Sequence, residues 1–307
     1  MHLSDTGTAI DLTVGGVRLY RYEYRPELSA EYAPRPYLHP VATRAGVVVT
    51  DAAPDDHPWH HGIGAAVPMV AGSSFWGGPT YVSGRGYVAL PDHGRIEHVE
   101  WLDQGIAAED TAGGGADDAV GAGAGAGADV GPVASLRHRL VWVGHDGRPL
   151  LAEDRAVTAR LNADPTVWTL RVASRLRNLT DTPVELASPA TAGRVGAGYG
   201  GWFVRAAPRF RAADVGDSDG RRDEAVHGER AASVTMACAT ASITVTADPV
   251  AREPWFVRRA EYPGLGPALA FRRPLRVAPD AQLTRAYRID IADRGPRYCA
   301  GRVDGPV

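Results

Sequence analysis

The segment "WTLRVASRL", residues 168–176, alternates apolar and polar side chains along its length. A period of two is typical of a β-strand, because successive side chains of a strand point to opposite faces of the sheet. One face consists of Trp168, Leu170, Val172, Ser174 and Leu176, and the other consists of Thr169, Arg171, Ala173 and Arg175. The segment therefore predicts a strand with one face in a hydrophobic core and the other toward solvent.

The same alternation recurs on both sides of this segment, between turns rich in Gly, Pro and Asp. The further predicted strands are "VRLYRYEY" (17–24), "LRHRLVW" (136–142), "SITVTA" (242–247), "PWFVR" (254–258), "ALAFR" (268–272) and "RAYRIDI" (285–291). No apolar stripe with helical spacing persists for three turns, which argues against a helix-rich α/β enzyme. The pattern predicts an all-β fold, a sandwich of antiparallel sheets whose rim loops carry the chemistry.

Residues 106–133 interrupt this pattern with a run composed almost wholly of Gly, Ala and Asp. Such a segment cannot offset its ordering entropy by burying apolar surface. Strand-like sequence of similar character lies on both sides, so we expect a flexible loop inside a single domain that spans residues 1–307. A linker between two domains is the alternative.

The composition, with 44% hydrophobic and 22% charged residues, supports a buried core. The formal net charge of -3 gives no reason to expect a nucleic-acid partner. No stretch approaches the roughly 18 uninterrupted apolar residues of a membrane span. The first residues also lack a basic region followed by an apolar run, so we expect a cytoplasmic protein with no membrane partner.

The stretch "DDHPWHHG", residues 55–62, places three histidines beside two carboxylates. In a first interpretation His57, His60 or His61 acts as a general acid or base, with a neighbouring aspartate holding one tautomer. In a second, two of the rings bind a divalent metal together with His39 or a carboxylate. In a third, the rings only form hydrogen bonds to the backbone while Trp59 fills the core.

The proline within this stretch favours the acid–base interpretation. If a turn begins at Pro58, His57 and His61 lie four positions apart and converge on one side. A metal site is less favoured, because adjacent histidines point in different directions and a loop lacks the fixed geometry that a helix gives to metal ligands. We therefore predict His57 and His61 as catalytic residues and assign no metal ligand or cofactor, a divalent metal being the alternative.

Upstream, "RPYLHP" (35–40) holds further candidates between two prolines that stiffen the backbone. Arg35 offers a planar fork of donors suited to hydroxyls or carboxylates. His39 is expected to complete the catalytic group with the histidines of the later loop, and Tyr37 to contact substrate. A surface turn is the alternative interpretation of this motif.

Three positions outside these two motifs complete the predicted site. Trp76 in "SSFWGG" (73–78) either stacks on a sugar ring or fills the core. Glu153 shares a strand face with Arg155, which predicts a buried ion pair or substrate contacts, with a surface pair as the alternative. Arg258 ends an apolar run. The predicted substrate-binding residues are Arg35, Tyr37, His60, Trp76, Glu153 and Arg258.

Five segments together resemble a bacterial family labelled "methane oxygenase PmoA". They are "RPYLHPVATRAGVVVTD", "DDHPWHHGIG", "SSFWGG", "GYGGWFVRAAPRF" and "PWFVRRAEYPGLGPALAFRRPL". The resemblance covers nearly the whole chain apart from the Gly/Ala insertion. A particulate methane oxygenase subunit is an integral membrane protein, and this sequence has no span to match, so the label does not describe the activity.

The resemblance implies a galactose-mutarotase-like supersandwich that handles carbohydrates on a concave sheet face, in a pathway shared with a sugar oxidoreductase. Mutarotase-like enzymes use a histidine acid and a carboxylate base, which applies here as an analogy of fold. We expect a carbohydrate-processing enzyme that performs acid–base chemistry on a sugar or an oxidised sugar, as an epimerase, mutarotase or lyase. The alternatives are a divalent-metal-dependent sugar hydrolase or lyase and a non-catalytic carbohydrate-binding protein.

Overall fold

The computed structural model describes residues 1–107, 131–249 and 252–295. Within these ranges the chain forms 21 strands and three single-turn 3-10 helices, with no α-helix. The all-β fold predicted from the alternating segments is therefore confirmed.

The strands are numbered along the chain. The first eleven strands are β1 (His2–Asp5), β2 (Ala9–Val14), β3 (Val17–Glu23), β4 (Tyr37–Val41), β5 (Ile63–Ala66), β6 (Met69–Val70), β7 (Thr80–Val82), β8 (Gly86–Val88), β9 (Arg95–Ala107), β10 (Val133–Val143) and β11 (Pro149–Leu161). The later ones are β12 (Val167–Asn178), β13 (Val184–Ala187), β14 (Gly201–Arg205), β15 (Asp214–Asp217), β16 (Ser233–Ala237), β17 (Ala241–Ala247), β18 (Trp255–Arg258), β19 (Gly264–Pro267), β20 (Leu275–Val277) and β21 (Gln282–Asp293). The 3-10 helices are Ala30–Tyr32, Pro208–Phe210 and Asp223–Val226.

Two eight-stranded sheets make up most of the molecule. The first sheet has the order β1-β2-β3-β4-β5-β14-β19-β18, and the second has the order β15-β16-β17-β21-β12-β11-β10-β9. A three-stranded sheet, β20-β13-β6, and the hairpin β7-β8 complete the set. Every strand pair within the described ranges is antiparallel, as the sandwich prediction requires.

Strand β12, which contains the segment 168–176, lies inside the second sheet between β11 and β21. Trp168, Leu170 and Val172 are fully buried in the core between the two sheets, as their alternation predicts. Burial of such side chains contributes roughly 1.5–3 kcal/mol each. The indole N–H of Trp168 also donates to the carbonyl of Ala42 on the opposite side of the core, at 2.9 Å.

The Gly/Ala-rich segment separates two strands that are neighbours in the second sheet. Ala107 at the end of β9 pairs with Val133 at the start of β10. The chain on both sides of residues 108–130 therefore belongs to one sheet. The predicted flexible loop at 106–133 falls almost entirely on 108–130, which lies outside the described residues.

One predicted strand is wrong. "ALAFR" (268–272) forms bends and turns after β19 instead of a strand. Its apolar residues Ala268 and Phe271 are buried in a small cluster outside the main core. These side chains are buried although the segment does not pair with a sheet. The sequence pattern alone cannot distinguish a buried loop of this kind from a short strand.

Strands β14 and β18 of the first sheet bury side chains on both faces of the sheet. On β14, Trp202 and Val204 point into the main core between the sheets. Phe203 belongs instead to the small cluster on the opposite, outer face, as does Phe256 of β18. The alternation along these strands therefore gives the sheet two apolar faces. Loop residues such as Trp76 and Tyr262 pack against the outer face.

In the three described ranges, no helix combines the length and the hydropathy that crossing a bilayer requires.

Candidate functional site

The outer face of the first sheet carries a compact group of aromatic side chains, here called the outer-face cluster. Its buried members are Ala66, Trp76, Phe203, Phe256, Tyr262, Ala268 and Phe271, with Trp59 and Tyr199 packed against them. Strand β19 makes room for these rings with glycines. A Cβ atom on Gly264 would lie only 2.5 Å from the ring of Phe203, so a larger residue there would displace the aromatic ring.

The histidine loop, residues 53–61, forms a closed hairpin at one edge of this cluster. Its ends are joined by an antiparallel bridge between Ala52 and His61. The N–H of Ala53 donates to the carbonyl of His60 at 2.8 Å, which closes the loop one residue further in. Hydrogen bonds at the base of the hairpin thus fix the positions of its imidazoles relative to the sheet.

A tight turn inside the loop brings two of the histidines together. The N–H of His60 donates to the carbonyl of His57 at 2.9 Å. The two imidazole rings stack with centroids 4.8 Å apart and planes inclined by 25°. The sequence pattern predicts convergence of His57 with His61, but this turn pairs His57 with His60, because it closes after three residues instead of four.

His60 is the most enclosed of the loop histidines, with 3% of its surface exposed. Its Nδ1 atom lies 3.2 Å from Nη1 of Arg205 on β14. Burial, followed by the positive charge of Arg205, holds the pKa of His60 well below its usual value. His60 is therefore a neutral ring at physiological pH.

Arg205 occupies the centre of the charged part of the site and is 1% exposed. Its guanidinium carbon lies 4.5 Å from the ring centroid of Tyr262, a cation–π contact. Two carboxylates are more distant, with Asp51 and Asp56 each 3.8 Å from a guanidinium nitrogen. The Nε atom of Arg205 is buried and has no hydrogen-bond partner within the described residues.

His57 lies at the exposed rim of the same group, and 32% of its side chain is accessible. Its Nδ1 atom is 2.9 Å from Oδ2 of Asp56, a separation typical of an ion pair, although the two groups are not aligned as a hydrogen bond. Burial opposes ionisation of Asp56, but His57 and Arg205 outweigh it and lower the pKa of this carboxyl. The pair therefore places an imidazole beside an ionised carboxylate.

His61 points away from the other two rings and stacks on Tyr37 of β4, with centroids 4.8 Å apart. Neither of its ring nitrogens has a hydrogen-bond partner in the described part of the chain. Burial, the charge of Arg35 and that of His39 together lower the pKa of His61 to about 3. His61 is thus a neutral, nearly buried ring.

His39 lies beside this second pair on the outer face of β4. Its Nδ1 atom is 3.0 Å from the hydroxyl of Thr50, which also accepts a hydrogen bond from the backbone N–H of Val41. Burial lowers the pKa of His39. The predicted histidines therefore form two neighbouring groups, one with His57 and His60 and the other with His39 and His61.

Arg35 is buried, and its guanidinium is committed to the backbone. It donates to the carbonyl oxygens of Tyr32, Ala33 and Trp59, each at 2.9 Å. Burial lowers the pKa of Arg35 to about 10. The arginine thereby ties the "RPYLHP" segment to the histidine loop, a bracing contact that links the two motifs singled out in the sequence.

The two glycines of "SSFWGG" lie in direct contact with Trp59. A Cβ atom on Gly78 would lie 2.4 Å from the indole of Trp59, so this ring packs directly on the glycine backbone. Trp76 is 6% exposed and belongs to the outer-face cluster, where its ring lies 4.5 Å from that of Tyr199. Trp76 also contacts the histidine loop, because its ring lies 5.4 Å from that of His60.

Arg258 lies at the far side of the outer-face cluster from the histidine loop. Its guanidinium carbon is 4.4 Å from the ring centroid of Phe256, and it also approaches His227 at 3.4 Å. The imidazole of His227 lies 5.2 Å from the ring of Phe271. The predicted residue Arg258 therefore contacts His227 and Phe256 rather than the histidines of the loop.

Glu153 lies in a different part of the molecule, between the two sheets. Its carboxylate accepts hydrogen bonds from Nε of Arg155 at 2.7 Å, from the hydroxyl of Ser174 at 2.5 Å and from the indole of Trp142 at 2.7 Å. Both members of the ion pair have fully buried side chains. The geometry therefore matches the buried ion pair, and the alternative of a surface pair is wrong because neither side chain is exposed.

The positions of the His, Cys, Asp and Glu side chains bear on the alternative of a metal site. Across residues 1–107, 131–249 and 252–295, no group of three or more His, Cys, Asp or Glu side chains is arranged to hold a metal ion. In the first histidine group His57 stacks on His60, whereas in the second His61 stacks on Tyr37.

Two residues of the site, Arg205 and Tyr262, carry no signal that sequence analysis recognised. The alternation in "GWFVR" places Phe203 and Arg205 on one strand face, which is the available hint. Both faces of this strand are apolar, however, so the sequence does not indicate which face is the core.

The fold and this site define an antiparallel β-sandwich protein with an aromatic and cationic site on the outer face of one sheet. Residues 9–298 match the model of a family described as "Family of unknown function (DUF6807)", and the chain belongs to this family. The match does not include the methane oxygenase label. No curated protein matches the chain.

Proposed function

We propose that this protein is a carbohydrate-processing enzyme that transfers a proton on a sugar or an oxidised sugar at the outer face of the first sheet. The observation that carries the proposal is the position of His57, which is partly exposed and lies 2.9 Å from Asp56. An imidazole beside an ionised carboxylate is a common general acid or base near neutral pH.

The surrounding residues supply the remaining parts of such a reaction. Removal of a proton from a carbon next to a carbonyl leaves negative charge on the carbonyl oxygen, which a positioned cation stabilises. In our proposal the positive charge of Arg205, which lies 3.2 Å from Nδ1 of His60, supplies this stabilisation through the electrostatic field at the site. Burial raises the pKa of Tyr262 to about 12, so its hydroxyl is protonated and acts as a hydrogen-bond donor.

Among the catalytic candidates, His57 is favoured over His61 and His39 for proton transfer. A base works best when its pKa is close to the working pH. The pKa of His61 is lowered to about 3, and that of His39 is lowered as well. In our proposal these two rings bind substrate hydroxyls as neutral groups, together with Tyr37.

The test is exchange of substrate C–H hydrogen with deuterated solvent, followed by NMR over a panel of aldoses, ketoses and aldonic acids. We expect the wild-type protein to exchange one position of one sugar class and the His57→Ala variant to lose this activity. The control is His2→Ala, which removes an exposed imidazole from β1, an edge strand of the first sheet. Exchange at the wild-type rate in His57→Ala would refute the assignment.

A second candidate function is carbohydrate binding without catalysis. It is favoured by the neutral state of His60, which is fixed by Arg205 and is suited to hydrogen bonding rather than to proton transfer. Calorimetry with the same sugars separates the two candidates. A non-catalytic protein binds a sugar in both wild-type and His57→Ala forms and exchanges no hydrogen in either.

A further inference from the structure

A large cavity on the C-terminal side of the molecule has an unusual concentration of arginines. Its volume is about 670 Å³, which lies within the range of small-molecule sites. The lining residues are Arg221, Arg230, Arg252, Arg272, Arg273, Arg285, Glu229, Glu253, Gly228, Pro254, Leu269 and Phe271. Six arginines face two glutamates, in a protein whose formal net charge is -3.

Two of these arginines are paired with carboxylates. Arg285 forms an ion pair with Glu253, whose side chain is 8% exposed. Arg221 lies 3.1 Å from Asp217 and 3.1 Å from Asp219. The positive charges of Arg285 and Arg221 are therefore offset by neighbouring carboxylates.

The other four arginines have no carboxylate partner within the residues that the structure describes. Arg272 donates to the carbonyl of Gly228 at 3.2 Å, and Arg230 donates to the carbonyl of Arg252. Neither bond neutralises a charge, and neither Arg252 nor Arg273 forms an ion pair there. Four exposed guanidinium groups without a counter-charge make this part of the lining electropositive, which favours the binding of an anion.

Gly228, Leu269 and Phe271 form an uncharged part of the lining. Gly228 has a φ of +83°, and a Cβ atom at this position would lie 3.1 Å from the ring of Phe271. Leu269 is held by a hydrogen bond from its N–H to the carbonyl of Gly200, at 2.9 Å. Several guanidinium groups in one pocket can recognise a compact anion, because a guanidinium can bind phosphate or carboxylate through two parallel hydrogen bonds.

We propose that this cavity binds a small polyanion that carries at least two phosphate or carboxylate groups. The site is separate from the histidine loop, which lies at the other side of the outer-face cluster, and Phe271 belongs both to that cluster and to the cavity wall. This inference does not depend on the proposed sugar chemistry, and no sugar is needed to test it.

The experiment is calorimetric titration of the full chain with sodium pyrophosphate and, separately, with sodium citrate, at constant ionic strength. We expect one molecule to bind per chain. Binding of pyrophosphate alone identifies a phosphate ligand, binding of citrate alone a carboxylate ligand, and binding of both a general polyanion site. Acetate, which carries a single charge, is expected to bind far more weakly.

The variant Arg252→Gln/Arg273→Gln removes two unpaired charges from the wall and should weaken binding by about tenfold or more. The variant Arg177→Gln/Arg209→Gln removes two exposed arginines elsewhere and serves as the charge-matched control. Thermal unfolding checks that both variants fold. The proposal is overturned if neither anion binds the wild-type protein, or if both double variants weaken binding equally.

Discussion

The Nη1 atom of Arg205 lies 3.2 Å from the Nδ1 atom of His60. A guanidinium group can only donate hydrogen bonds, so Nδ1 of His60 must accept and the ring proton must reside on Nε2. A second proton on Nδ1 would break this hydrogen bond and place two positive charges side by side. The contact therefore fixes both the tautomer and the neutral state of the most enclosed imidazole of the site.

Replacing the arginine should release this constraint. In Arg205→Gln we expect the pKa of His60 to rise, although burial, the larger cause of its depression, still keeps it below the usual value. NMR titration of the histidine ring resonances measures the change. Arg209→Gln removes an exposed charge four residues away and should leave the titration of His60 unchanged. An unaltered pKa in Arg205→Gln would contradict the contact.

The buried histidines predict that the protein loses stability in acid. Because the pKa of His61 is about 3 in the folded chain and about 6.5 in the unfolded chain, the unfolded chain binds a proton first as the pH falls. Its contribution to stability is complete above pH 6.5 and declines as the pH decreases from 6.5 toward 3. Between pH 6.5 and pH 5 the loss is about 2 kcal/mol from this residue alone.

Urea denaturation at several pH values measures this effect. The variant His61→Gln should show a shallower loss of unfolding free energy between pH 7 and pH 5, because it removes one of the titrating groups. The control is His2→Gln, which removes an exposed imidazole and leaves His61 in place. Equal slopes for His61→Gln and wild type would contradict the depressed pKa.

A third prediction concerns the packing of Trp59 on the glycines of "SSFWGG". Gly78 has a φ of +69°, and a Cβ atom there would overlap the indole ring at 2.4 Å. Gly78→Ala should destabilise the protein by about 2–5 kcal/mol, through backbone strain and overpacking together. Gly84 has a similar φ of +74° but open space around it, so Gly84→Ala should cost only about 1–2 kcal/mol.

Urea denaturation of the two glycine variants separates the two contributions. The difference between them is the cost of displacing Trp59, and it should be accompanied by a change in tryptophan fluorescence in Gly78→Ala alone. Equal destabilisation of both variants would mean that the indole does not pack on Gly78.

The alternation of side chains was sufficient to predict the architecture. In β12 every residue predicted to face the core does so, because the central position of this strand leaves one face against the other sheet. The error at 268–272 has a physical origin, since a short apolar run can be buried by a loop as well as by a strand. The local pattern predicts where a strand occurs. Which strand it pairs with depends on residues that are distant in sequence.

The composition of the site was predicted less completely, because its contacts are remote in sequence. Arg205 and His60 are separated by 145 positions, and no local pattern records their approach. The turn that stacks His57 on His60 is closed by the hydrogen bond from the N–H of His60 to the carbonyl of His57, and the residue spacing alone does not indicate where the turn closes. The two motifs "RPYLHP" and "DDHPWHHG" do lie together, and the guanidinium of Arg35 joins them.

The buried ion pair between Glu153 and Arg155 supports the last prediction, which separates a structural role for Glu153 from substrate binding. Glu153→Gln leaves the enclosed guanidinium without its counter-charge and should cost about 3–5 kcal/mol of unfolding free energy. The matched control is Glu185→Gln, which disrupts the exposed pair with Arg276 at 3.0 Å and should cost less than about 1 kcal/mol. Denaturation curves compare the two variants, and calorimetry with a bound sugar adds an independent readout. A Glu153→Gln variant that keeps full stability but loses sugar affinity would reassign this carboxylate to the binding site.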